Sequence, residues 1–125
     1  LLPAEDIHDV IAAMGRLVAG TVPEPFRAEM RVVKRWPPCE TDADHLVSRA
    51  AVAAVRAAGR AGALGMDQAA NDTSWFVAAG IPAILLGPGD PVQAHATDEA
   101  LDISQLRDAI AIDAALPLAV ASLPA

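Results

Sequence analysis

Residues 81–101 read IPAILLGPGDPVQAHATDEAL. The apolar run 81–87 ends at the turn Gly87-Pro88-Gly89, a pattern typical of a strand that is buried on both faces of a sheet. In an open α/β sheet, ligands bind beyond the carboxyl ends of the strands. The stretch therefore predicts an α/β fold with a ligand-binding edge, and His95 falls on that edge.

Helical patterns surround this predicted strand. Apolar spacing, caps and glycine stops predict helices over 5–19, 43–58, 74–79 and 103–121. Thr41 or Asp42 is expected to cap the second helix, and Gly59 to end it. Gly80 is expected to end the third helix, and Asp102 to cap the last one.

A second strand and a domain boundary are expected near the start of the chain. Residues 26–33 alternate between apolar and polar side chains, which predicts a half-buried antiparallel strand. Two consecutive prolines then interrupt the segment 34–40. We therefore expect two parts, residues 1–37 and residues 38–125. Because the sequence opens on two leucines without a methionine, we also expect it to be a fragment.

Charge and cysteine content exclude several classes of function. The formal net charge is −7, which disfavours binding to nucleic acid or to an anionic membrane surface. No apolar run reaches the roughly 20 residues that a bilayer-spanning helix needs. Cys39 is the single cysteine, which points to a reducing, cytoplasmic setting.

The acidic surroundings of His95 suggest a metal ligand. Asp90, Asp98 and Glu99 lie close to it in sequence. A neutral imidazole can ligate a divalent metal when its second nitrogen is held by a carboxylate or carbonyl. From these residues alone an ordinary loop histidine is the favoured interpretation, and the metal ligand is the alternative. A phosphate-binding role for the glycine turn is disfavoured, because Pro91 follows it rather than a helix N-terminus.

Three other residues are of types that can bind a metal or react. His45, with Asp42 and Asp44, could mimic a metal site, but a solvated helix cap is favoured. His8 is expected on the polar side of the first helix. Cys39 is interpreted as an inert boundary residue, because the sequence places no helper base beside it.

Residues 71–106, NDTSWFVAAGIPAILLGPGDPVQAHATDEALDISQL, resemble the C-terminal signature of the M20 metallopeptidases and deacylases. That family includes acetylornithine deacetylase, succinyl-diaminopimelate desuccinylase, glutamate carboxypeptidases and aminoacylases. Its pattern is an Asp before a short helix, a Gly-Ile-Pro strand start, a Gly-Pro-Gly loop and an Ala-His pair followed by an acid. This chain supplies Asp72, Gly80-Ile81-Pro82, Gly87-Pro88-Gly89, Ala94-His95 and Glu99.

The resemblance implies an architecture. Residues 38–125 would be the C-terminal segment of a three-layer α/β/α catalytic domain of the zinc-exopeptidase type. Residues 1–37, with helix 5–19 and strand 26–33, would be the tail of an α+β lid domain through which such enzymes form homodimers. The resemblance thus covers nearly the whole chain.

The resemblance also implies site residues. The intact enzymes hold two divalent metals, usually zinc, and His95 matches a ligand of one of them. Gly87 and Gly89 match the loop that lines the substrate cleft. Asp72 matches a position near the substrate carboxylate, and its neighbour Asn71 stands where the family usually has Ser or Thr. Glu99 is expected to contact His95 without binding the metal itself.

The implied reaction is cleavage of an amide bond in an N-acyl amino acid or small peptide. The His-x-Asp motif, the bridging Asp and the Glu-Glu pair of the family do not occur in this sequence. Since a catalytic zinc needs about three protein ligands, the isolated chain is expected to be inactive without the rest of the same enzyme. The alternative is a non-catalytic, truncated relative that serves as a packing or dimerisation module.

Overall fold

The computed structural model describes residues 4–67 and 69–124, and helices are its regular elements. These are α1 (Ile7–Thr21), α2 (Leu46–Ala57), α3 (Thr73–Ala78) and α4 (Ile103–Ser122), with a 3-10 turn at Pro91–Gln93. The four predicted helices are confirmed, and their ends differ from prediction by three residues at most. None of the described helices has the length and apolar character needed to cross a membrane.

The predicted α/β fold class is wrong for the described residues, in which no strand or sheet occurs. Residues 26–33 and 81–87, both expected to be strands, have no regular secondary structure. Leu85, expected to be buried on two sides, is 60% exposed. The three-layer α/β/α domain and the lid strand are therefore not observed.

The physical reason is that a strand needs a neighbouring strand to complete its hydrogen bonds. An apolar run or an alternating pattern reports only which faces would be buried. At Ala83 the backbone finds another partner. Its N–H donates to the hydroxyl of Thr41 at 3.3 Å, and the same hydroxyl donates to its carbonyl at 2.5 Å.

The described residues divide into two compact units. The first combines residues 4–40 with 69–81 and contains α1 and α3. The second combines 41–67 with 82–124 and contains α2 and α4. The expected assignment of 1–37 to a lid domain and 38–125 to a catalytic domain stays a prediction.

In the first unit, α1 begins where the carboxylate of Asp6 accepts the N–H of His8 at 2.6 Å. A carboxylate is favourable there because it satisfies a free N–H and complements the helix dipole. The apolar stripe of α1 is only partly covered: no described residue of the helix is fully buried. Met14 and Leu17 are 52% and 65% exposed.

The second unit is organised by the packing of α2 against α4. Ala50, Ala51 and Ala54 of α2 are buried, and Ile112 of α4 is 8% exposed. Small side chains let two helix backbones approach closely, so little bulk is needed to fill the contact. Ser48 is also buried, and its hydroxyl has no hydrogen-bond partner among the described residues.

Glycine ends two of the helices, as the sequence predicted. After α2, Gly59 has a φ of +75°, and the N–H of Arg60 bonds the carbonyl of Val55 at 3.1 Å. After α3, Gly80 has a φ of +78°, and the N–H of Ile81 bonds the carbonyl of Phe76 at 2.9 Å. Both are Schellman motifs, in which glycine adopts a left-handed conformation at little cost.

The cap of α4 was predicted correctly, and the cap of α2 was not. Asp102 caps α4 as expected and accepts the N–H of Ser104 at 2.6 Å. The expected cap of α2 at Thr41 or Asp42 is wrong, because His45 caps it by accepting the N–H of Val47 on Nδ1. The favoured interpretation of His45 as an exposed cap is thereby confirmed.

We expect Ile112→Ala to lower the free energy of unfolding by about 2–5 kcal/mol, because it leaves a cavity in the α2–α4 contact. The matched control is Ile110→Ala on the same helix, where the isoleucine is 64% exposed. That substitution should change stability by less than about 0.5 kcal/mol. Denaturant titration followed by circular dichroism measures both. Equal losses for the two variants would contradict the assigned core.

The Asp102 cap should make α4 sensitive to acid. Hydrogen bonds from the side chain and main-chain N–H of Ser104 lower the pKa of Asp102 from its ordinary value of 3.8. Because this pKa is lower in the folded than in the unfolded chain, the carboxylate stabilises the fold above pH 3.8. The contribution is lost as the pH falls through the lowered, folded pKa.

We therefore expect Asp102→Asn, which keeps a capping side chain without the charge, to be less stable than wild type near neutral pH. The difference should shrink to nothing in strong acid. Unfolding free energies measured across an acid pH series provide the comparison. A difference that stays constant with pH would show that the charge has no part in the cap.

Candidate functional site

The candidate site begins with the glycine turn in the second unit. Gly89 has a φ of +105°, and a Cβ atom at this position would come within 3.4 Å of Leu101 Cδ1. The next residue, Asp90, accepts the N–H of Val92 at 3.0 Å and so starts the 3-10 turn. Gly87 lies in open space, exposed like Gly89. The turn therefore leaves its backbone accessible on the surface of this unit.

His95 has an unusual backbone conformation. Its φ is +65°, and it is the one non-glycine residue with a positive φ in the described ranges. A left-handed conformation costs an L-residue about 1–2 kcal/mol, although histidine tolerates it better than most residues. Strained residues concentrate at functional sites, so an observed outlier is grounds for a functional hypothesis.

Glu99 contacts His95 through the main chain. The N–H of His95 donates to Glu99 Oε2 at 3.1 Å. The N–H of Glu99 in turn donates to the carbonyl of Ala96 at 3.3 Å, closing the turn between the two residues. Glu99 was expected to support His95, and that role stays a prediction. The observed contact is made to the backbone N–H of His95.

Asn71 and Asp72 lie in the first unit, where they form the start of α3. Asn71 Oδ1 accepts the N–H of Thr73 at 3.0 Å, and its main-chain carbonyl accepts the hydroxyl of the buried Ser74 at 3.0 Å. Asp72 stands at the cap position, but its side chain makes no capping hydrogen bond. Asn71 therefore shapes this turn, while the carboxylate of Asp72 is exposed.

The described residues do not fit a complete metal site. Within 4–67 and 69–124, no three His, Cys, Asp or Glu side chains are grouped so that they could hold an ion. His95 is exposed and offers one imidazole. A catalytic zinc takes about three protein ligands, so this donor set is too small by itself. We therefore assign no chemical step to a metal held by these residues alone.

Sequence reasoning named His95 and Glu99 as candidates but did not predict the hydrogen bond between them. The left-handed conformation has no signature in the sequence, because glycine is the residue expected at a positive φ. The spacing of four residues between histidine and carboxylate was the available signal. It did not reveal that the main-chain N–H of His95 would be the donor.

Comparison with known proteins identifies the family. The model of peptidase family M20/M25/M40 matches residues 3–119, so the chain belongs to this family. Forty-one residues are 44% identical to the N-formyl-4-amino-5-aminomethyl-2-methylpyrimidine deformylase of Halalkalibacterium halodurans. This match covers 33% of the chain and 10% of the deformylase, so the chain spans a small part of that relative. No solved structure matches.

We expect His95→Gly to be more stable than His95→Ala by about 1 kcal/mol, because glycine adopts the positive φ without strain. The matched control is the same pair of substitutions at Thr97, whose φ is not positive. There the glycine variant should be the less stable one, since it loses more chain entropy on folding. Denaturant titration of the four variants tests this. The same order at both positions would contradict the left-handed assignment.

Proposed function

We propose that the chain acts as the C-terminal portion of a metal-dependent hydrolase that cleaves amide bonds. The observation that carries the proposal is the match of the M20/M25/M40 family over residues 3–119. The deformylase relative, whose name describes removal of a formyl group from an aminomethylpyrimidine, supports amide cleavage as the reaction class. Substrates of the whole protein would be N-acyl amino acids or small peptides.

In this proposal the exposed glycine turn and His95 form one wall of the substrate cleft. His95 would contribute an imidazole to one of two divalent metals, with zinc the preferred ion, and the chemistry supplied there would be polarisation of the scissile carbonyl. The backbone of Gly87 and Gly89 would lie close to the substrate. Asp72 and Asn71 would approach the substrate carboxylate. The remaining ligands and the general base come from outside this chain.

The isolated chain is proposed to be inactive for the same reason. One imidazole cannot hold a catalytic zinc, and within the described ranges no group of three His, Cys, Asp or Glu side chains could hold an ion. Cys39 is a free thiol, which supports the proposed reducing, cytoplasmic setting.

A second candidate is a non-catalytic packing or dimerisation module. The observation that favours it is the exposure of Met14 and Leu17 on α1, because large apolar side chains on one helix face are suited to contact with another chain. In the hydrolase proposal the same face would form the homodimer. The two candidates therefore differ in catalysis and agree on the use of α1.

We expect the isolated chain, supplied with zinc, to release no formate or acetate from N-formyl and N-acetyl amino acids. The natural gene product, expressed with whatever residues it encodes around this chain, should release them. There His95→Ala should lower kcat/KM by more than about 100-fold, beyond the 10–100-fold loss typical of groups that only support a ligand.

The control variant is His8→Ala, which removes an exposed histidine of α1 and should leave activity unchanged. Chelator-sensitive turnover by the isolated chain would overturn the predicted inactivity. A natural gene product that releases neither acid would favour the packing module.

A further inference from the structure

We propose that Glu99 is a positioning residue that holds His95 in its left-handed conformation. The carboxylate accepts the main-chain N–H of His95 at 3.1 Å, and the φ of His95 is +65°. The turn over residues 93–96 is one cause of this conformation: the N–H of Ala96 donates to the carbonyl of Gln93 at 3.0 Å, Ala94 has a φ of −59° and a ψ of 126°, and His95 takes the position of a type II turn that requires a positive φ. The hydrogen bond to Glu99 is a second restraint on the same backbone, and it comes from a side chain.

The neighbouring acids are not placed to do this. The carboxylate of Asp90 accepts the N–H of Val92 and is used by the 3-10 turn. Asp98 is exposed and precedes the residue that makes the contact. Glu99 is brought back over His95 because its own N–H bonds the carbonyl of Ala96 at 3.3 Å. A hydrogen bond to an ionised acceptor is stronger than one to a neutral acceptor, which suits a carboxylate to this task.

The left-handed conformation sets the direction of the imidazole. Rotation about φ turns the Cα–Cβ bond relative to the loop, so His95 in an ordinary extended conformation would project its ring elsewhere. Both residues are exposed, so the contact contributes little to core packing. The conformational claim stands on this geometry alone. A benefit for hydrolysis, namely that the imidazole is oriented before the substrate binds, rests on the proposed function.

The test uses the 125-residue chain and NMR spectroscopy. A residue with a positive φ has its amide proton close to its own Hα, so His95 should give a strong intraresidue cross-peak. We expect Glu99→Ala to weaken this peak and to speed hydrogen exchange of the His95 amide about tenfold. Glu99→Gln keeps an acceptor oxygen and should retain most of both signals. Asp98→Ala, the matched control, should change neither.

Loss of both signals in the alanine variant with retention in the glutamine variant supports the proposal. An unchanged cross-peak and exchange rate in Glu99→Ala would overturn it, as would an equal loss in Asp98→Ala. Circular dichroism should show the same helix content in all variants, because each substitution is at an exposed loop residue. Hydrolysis is not part of this readout, so failure of the proposed function would leave the positioning result standing.

Discussion

The contact between α2 and α4 constrains the loop that carries His95. Helix α2 packs against α4, and three alanines of α2 are buried. Just before α2, the hydroxyl of Thr41 holds Ala83 at the entrance to the glycine turn, and Asp102 starts α4 at the exit of the loop. Both ends of the loop are thus tied to one helix pair. A loop anchored in this way can place a side chain without a core of its own.

Within that loop the backbone of His95 is the feature that points to function. The strain of a positive φ brings no gain in packing, because the residue is exposed. Two hydrogen bonds support this conformation: the N–H of Ala96 closes the turn on Gln93, and Glu99 accepts the N–H of His95. The family match and this backbone conformation together are the grounds for the proposed ligand role of His95. The functional account therefore depends on two residues and the backbone between them.

Local features of the fold were predictable from the sequence, and non-local ones were not. Helix α4 and its Asp102 cap follow from residues within one turn of each other, as do the glycine stops at Gly59 and Gly80. The expected strand at 81–87 needs a neighbouring strand, which the sequence pattern does not identify. Instead, the backbone N–H of Ala83 donates a hydrogen bond to the hydroxyl of Thr41. His95 was identified as a candidate through the motif around it. Its left-handed conformation was not, because sequence rules reserve that region for glycine.

The central claim is that the imidazole of His95 is a metal ligand that this chain contributes to a hydrolase. X-ray absorption at the zinc edge counts imidazole ligands directly. Zinc-loaded natural gene product and its His95→Ala variant should be compared at equal metal content. The account predicts that the variant loses an imidazole from the first coordination sphere of one metal. An unchanged imidazole count would contradict it.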